Sequence, residues 1–311
     1  MLAIPTKGIS RSIKEHNVDL EVLCDWIEGS ILFQDDEELA ASDVTDVLIE
    51  GEIYGDQDFA WERVSDAWSE LRRRQGWLDN GSPIEMTDYR LRRRCDWRDV
   101  PAHSFCLALA FAKWYPHWVK PFGRDFTEQG ELFELVTKES LQRLFRGWEI
   151  YPTGWTRTHA QKLSNVVADV ANRLGERIGD IGRWTRPRAN EAGLDLLCYR
   201  PFPDGRVGVP VYLLQCASGS DWDEKLHTPN LRIWEKIVSF ASSPKKAFAM
   251  PFALLDEGFP RTCNLVDGML IDRYRLLSPA RDDPNWVPNE LKVRLVTWLE
   301  PSVAQLPKAS E

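Results

Sequence analysis

Asp195 and Gln215 stand where their surroundings are apolar. Asp195 interrupts the run LDLLCY, and Gln215 sits near the end of VPVYLLQC. Residues two apart on a strand share a face. Val211, Leu213, Gln215 and Ala217 therefore face one way, and Asp195 shares its face with Leu197 and Tyr199. If the two strands form a hairpin, Asp195 and Gln215 project from the same side of one sheet. A buried carboxylate costs several kcal/mol unless a cation or hydrogen-bond donors compensate it. A divalent metal does this, and Mg2+ takes oxygen ligands from carboxylates, amide and backbone carbonyls and water. Arg183, Arg186 and Arg188 lie just before Asp195 in RWTRPR. With its proline this segment reads as a loop leading toward the pair. Guanidinium forks suit phosphate oxygens, and a solvated loop accounts for them equally well. Cys95, His103, Cys106 and His117 are of zinc-ligand type but form no tight ligand pair. His103 and Cys106 open an apolar helix, where core packing is the expectation.

The elements that must hold Asp195 and Gln215 are strands over LDLLCYRPF and VPVYLLQCA, joined by a turn at PDGRVG. Before them, GELFELVTKESLQRLF reads as an amphipathic helix burying Leu132, Phe133, Leu135, Val136, Leu141, Leu144 and Phe145. GWEIYPTGW fits a short strand. THAQKLSNVVADVANRLGERIGD fits a helix ended near Gly175 or Gly179. After them, Ser220 and Asp223 form a capping-box pattern that opens a helix through DWDEKL, with a second segment over LRIWEKIVSFA. KKAFAMPFAL fits a strand, GMLIDRYRLL fits helix or strand, and PNELKVRLVTWLE fits a closing helix. The order after residue 128 is helix, strand, helix, strand, strand, helix, strand, which is mixed α/β with a hairpin in its sheet.

From about Leu20 to Trp118 the spacing is helical. In DFAWERVSDAWSELRRRQGWL, Phe59, Trp61, Val64, Trp68 and Leu71 recur on one side. Acidic residues dominate 35–66 and arginines 72–98, and two such blocks can neutralise each other across packed helices. PAHSFCLALAFAKWYPHW reads as a buried helix opened by Pro101. A break near PFGRDFTEQ divides the chain into a helical N-terminal domain, 1–120, and a second domain, 121–311.

The chain has 311 residues, 43% hydrophobic and 28% charged, a composition that excludes general disorder. Its formal net charge of −9 means that a nucleic acid would have to meet a local basic patch. The six cysteines form no CxxC pair, the start has no signal-peptide pattern, and FCLALAFA is too short to span a bilayer. The expectation is reduced thiols in a cytoplasm, with no membrane partner.

GELFE on a helix, GLD at the start of a strand and QCA at the end of the next resemble the PD-(D/E)XK nuclease superfamily, which includes restriction-enzyme and Mrr-like folds. The resemblance covers roughly residues 125–255. It implies a restriction-endonuclease-like mixed sheet flanked by helices and phosphodiester hydrolysis dependent on Mg2+ or Mn2+. By position, Glu134 resembles the helix glutamate that supports the metal through water. Asp195 resembles the central metal-binding aspartate, and Gln215 the first residue of the (E/Q)xK motif. The backbone carbonyl of Cys216 resembles a further ligand. The motif lysine falls on Ala217, so this chain lacks it there. Lys225 is the nearest candidate to replace it, as members of the superfamily move catalytic side chains to neighbouring elements. The function implied is DNA endonuclease in bacterial restriction or phage defence, with the N-terminal helices sensing a substrate or partner. The implied partners are DNA and further subunits of a defence system, with homodimerisation left open. The alternative is an inactive member of the same fold that binds nucleic acid or a partner protein, and Ala217 is its best support.

Overall fold

The computed structural model describes residues 1–9, 18–115, 126–153, 162–185 and 193–309. The chain forms two compact units. The first comprises Met1–Arg124, Pro251–Leu255 and Arg273–Glu311; the second comprises Asp125–Met250 and Asp256–Asp272.

In the first unit, α1 (Leu20–Phe33) starts at Asp19, whose carboxylate accepts the Glu21 N–H at 3.0 Å. There follow β1 (Glu38–Ala40), α2 (Ala41–Glu50), α3 (Gln57–Leu78), β2 (Ile84–Met86), β3 (Arg90–Arg93) and α4 (Pro101–Trp114). Pro101 takes the first helical position, as expected. The helical reading of 20–118 is corrected by the antiparallel sheet β1-β3-β2. Its central strand is the arginine run itself: Leu91 is buried while Arg90 and Arg92 are exposed, a period of two. The acid and base blocks do meet, but across strands, with Arg90 Nη1 3.3 Å from a Glu38 oxygen. On α3 the buried stripe is Ala60, Val64, Ala67, Trp68 and Leu71, whereas Phe59 and Trp61 are exposed.

The domain boundaries also differ from the expected ones, because residues 251–255 and 273–311 belong with the N-terminal unit. The physical reason is a buried ionic cluster. α1 is buried on nearly every side, so its acids need partners. Arg273 donates to both oxygens of Asp25 at 2.7 and 2.9 Å, and Arg74 donates to the same carboxylate at 2.9 Å. Glu28 accepts from His103 Nε2 at 2.9 Å and from the Tyr274 hydroxyl at 3.0 Å. The closing helix, Asn289–Ala304, lies against α4, with the Phe105 and Trp298 rings 5.0 Å apart.

In the second unit the elements are α5 (Phe126–Leu144), β4 (Glu149–Pro152), α6 (Leu163–Leu174), β5 (Arg177–Ile178), α7 (Ile181–Trp184), β6 (Leu196–Tyr199), β7 (Val211–Cys216), α8 (Leu231–Ile237), β8 (Val238–Ser239), β9 (Lys245–Ala249), α9 (Gly258–Val266) and β10 (Met269–Ile271). The mixed sheet runs β10-β9-β7-β6-β4. β4, β6 and β7 pair antiparallel, and β7, β9 and β10 pair parallel. Leu197, Tyr199, Val211 and Leu213 pack with Val166, Val167 and Val170 of α6 and Trp234 and Ile237 of α8. α5 runs against β4 and β7. α6 ends where Gly175 takes a left-handed φ of +68°, as the sequence implies.

Four local expectations are corrected. DWDEKL forms only one 3-10 turn, Trp222–Lys225, with no side-chain cap. LRIWEKIVSFA is helical only to Ile237, since Val238 and Ser239 pair with Ile178 and Arg177. GMLIDRYRLL divides into β10 and a helix over Arg273–Leu277. Leu144, expected inside, is exposed. Among the described residues no helix is long and apolar enough to cross a membrane.

Removing one partner from a buried ionic cluster strands the others. Asp25→Ala should destabilise the protein by about 3–5 kcal/mol in denaturant titrations. The same cluster sets a pH dependence. Burial pushes Glu28 up, but the His103 bond and the charges of His103, Arg74 and Arg273 outweigh it and hold the carboxyl at about 2, below its ordinary 4.5. A depressed carboxyl stabilises the fold fully above its unfolded pKa, and that contribution is lost as pH falls through the folded value. Glu28→Gln should therefore lose less stability than wild type when denaturant midpoints are compared between about pH 7 and pH 3.

Candidate functional site

Register places the site. Leu196 pairs with Leu214, and Asp195 and Gln215 are the next residues on the two chains. The regular pairing ends at Leu196, and the backbone at Asp195 is held by bonds outside it: Asp195 N–H donates to Leu214 O at 2.9 Å, and Thr153 N–H donates to Asp195 O at 2.7 Å. Cross-strand neighbours share a face, and both side chains are buried, Asp195 at 7% and Gln215 at 9% exposure.

Their polar atoms are tightly engaged. Asp195 Oδ2 accepts from Gln215 Nε2 and from the Cys216 backbone N–H, the latter at 2.6 Å. Gln215 Nε2 also donates to Cys216 O at 3.1 Å. On the other side of the amide, Gln215 Oε1 lies 3.1 Å from Thr228 Oγ1, which lies 2.6 Å from Lys225 O. Gly193 closes the site from below the strand. Its φ is +72°, and a Cβ there would lie 2.8 Å from Thr228 Cβ and 3.1 Å from Gln215 Oε1. Only glycine meets both conditions without strain.

α5 brings the second carboxylate. Gln129, in its first turn, donates to Ser218 O at 3.2 Å, just beyond the end of β7. Further along α5, Glu134 is half-buried. Burial first, then the charges of Asp195 and Glu134, push the Cys216 thiol well above its ordinary value. Both carboxylates therefore act on the same residue, and the thiol stays protonated near neutral pH.

Asp195, Gln215 and the Cys216 backbone thus form one network, and the charge of Glu134 is felt at the Cys216 thiol. Lys225 joins it through its carbonyl only. Its ammonium lies 3.7 Å from Asp221 Oδ2, and the side chain is 44% exposed. Ala217, at the motif-lysine position, is fully buried. Arg183 is exposed on α7, its guanidinium 5.0 Å from the Trp184 ring centre. Arg186, Arg188 and His117 lie outside the described residues. His103 and Cys106 are in the core of the first unit, as expected. Three further residues were not singled out by sequence. Thr228 contacts the Gln215 amide, and a Cβ on Gly193 would crowd its oxygen. Lys246 of β9 is buried and donates to Leu226 O at 3.0 Å, and burial lowers its pKa. The glycine of GLD was the one legible signal among them.

The donor set suits a hard cation. Asp195 Oδ2 and Cys216 O converge on a single NH2 group, and the amide that carries it has an oxygen of its own. Among the described residues no three His, Cys, Asp or Glu side chains gather to hold a metal. A cation here would rest on Asp195, Cys216 O and the Gln215 amide oxygen. No protein-family model matches the chain, and neither a curated protein nor a solved structure does.

Gly193→Ala should cost on the order of 1–3 kcal/mol of stability, from a left-handed φ and a crowded Cβ. Thermal or denaturant melts of the full chain check this; an unchanged midpoint would mean that the Gly193 turn relaxes freely.

Proposed function

We propose that the second unit is a divalent-cation-dependent nuclease of the PD-(D/E)XK type, acting on DNA phosphodiester bonds in a cytoplasmic restriction or phage-defence setting. One observation carries the reading: Asp195, Gln215 and the Cys216 carbonyl converge at the C-terminal end of β7. The architecture of the core supports it. A mixed five-stranded sheet flanked by helices, with β4, β6 and β7 antiparallel and β9 parallel to β7, is the coarse architecture the resemblance implies.

In this reading Asp195 and the Cys216 and Gln215 oxygens would hold Mg2+ or Mn2+, and Glu134 would support it through water. When bound, such a cation lowers the pKa of a water and neutralises charge developing on the phosphate. Arg183 is available to a phosphate of the DNA backbone, which suits a chain whose net charge is negative. Lys225 acts only if its ammonium leaves Asp221.

A second reading is a nuclease-like fold that binds DNA or a partner without cutting. The alanine at 217 and the Lys225–Asp221 pair favour it.

Cleavage of plasmid and linear duplex DNA in Mg2+ or Mn2+ separates the two. Under the first reading the wild type cuts, and Asp195→Ala lowers the rate by at least about 10²–10³. An Asp195→Ala protein as active as wild type contradicts it. Lys225→Ala then decides the lysine: a comparable loss assigns Lys225 to the chemistry, and full activity removes it. A wild type that binds DNA and never cuts selects the second reading.

A further inference from the structure

The hydrogen-bond arithmetic around Gln215 carries one step more, resting on the reading that this end of the sheet takes a divalent cation. The two protons of Gln215 Nε2 go to Asp195 Oδ2 and to Cys216 O. Both of those atoms are acceptors only, so in the cation-free protein the nitrogen must face them. The NH2 group therefore occupies the position between two oxygens that a cation would take. The opposite side of the amide is less well served. Thr228 has a single hydroxyl proton, and two oxygens compete for it: Lys225 O at 2.6 Å and Gln215 Oε1 at 3.1 Å. If the shorter contact takes the proton, Gln215 Oε1 faces a lone pair.

We propose that Thr228 is a positioning residue that makes the Gln215 amide reversible, so that cation binding turns the amide over. Turned by half a rotation, the NH2 group donates to Thr228 Oγ1, whose own proton stays on Lys225 O. One of the two amide protons then has an acceptor on that side, and Thr228 Oγ1 both donates and accepts. Oε1 now faces Asp195 and Cys216 O. This cluster of oxygens repels itself without a cation and binds one when it is present. The missing Cβ at Gly193 leaves room beside the amide for the rotation, since a Cβ there would stand 3.1 Å from Oε1. The amide is thus a stand-in cation in one state and a ligand in the other, and Thr228 accepts the NH2 group that the ligand state displaces.

The test uses the full chain with Mg2+ or Mn2+ alone, without DNA. Calorimetric titration should find binding in wild type, near-wild-type affinity in Thr228→Ser, and about tenfold weaker binding in Thr228→Val, which cannot accept a hydrogen bond. Asp195→Ala should not bind. In 15N-glutamine-labelled wild type, the side-chain NH2 pair that vanishes in Gln215→Leu should shift as Mg2+ is added. This readout does not depend on whether Thr228→Val folds. Binding that needs Asp195 but leaves the NH2 pair unmoved, or that is equal in Thr228→Val and wild type, overturns the amide reversal and leaves the metal reading standing. Absence of binding in wild type at about 10 mM cation overturns both.

Discussion

A carboxylate that is only 7% exposed at the edge of a strand is the constraint around which the end of the second unit is built. Asp195 cannot be taken out of water without donors. The Gln215 amide donates to it just past the last paired residues, Leu196 and Leu214, and the end of β7 adds the Cys216 N–H. Each further feature serves that arrangement. Gly193 takes a left-handed φ that brings the chain into β6 without a Cβ in the way, and Thr228 meets the far side of the Gln215 amide. Lys246 donates to Leu226 O and ties β9 to the segment leading to Thr228.

The first unit solves the same problem by other means. Asp25 and Glu28 lie one helical turn apart on a helix with almost no exposed side, and arginines answer them from α3 and from the C-terminal part of the chain. Buried ion pairs contribute little net stability over an apolar core, but breaking one is costly. Their effect here is to fix which segments fold together: Arg273, 248 residues from Asp25, brings the last part of the chain into the N-terminal unit. Guanidinium groups satisfy Asp25, whereas Asp195 is held by neutral amide donors.

Much of the second unit was legible because it rests on short-range periodicity. Period two placed Asp195 and Gln215 on one face, and the apolar spacing of Leu132, Phe133, Val136 and Leu141 gave α5 its buried side. What was not legible depends on distant partners. The arginine run at 90–93 forms a strand only because Leu91 finds a core and Glu38 lies across from Arg90 and Arg92. Thr228 sits in a loop whose composition says nothing about Gln215. The capping-box pattern at Ser220 failed because the chain takes a single 3-10 turn there and moves on toward Thr228. Lys225 illustrates the limit of carrying a role over by position: its backbone arrives where expected, while its ammonium finds Asp221.

The central claim is that Asp195 and the end of β7 form a cation site. Anomalous diffraction from crystals of the full chain soaked in Mn2+ tests it most directly. The account predicts a peak about 2.0–2.3 Å from an Asp195 carboxylate oxygen and from Cys216 O. Crystals that take up Mn2+ elsewhere, with the Gln215 amide still between those two oxygens, would contradict it.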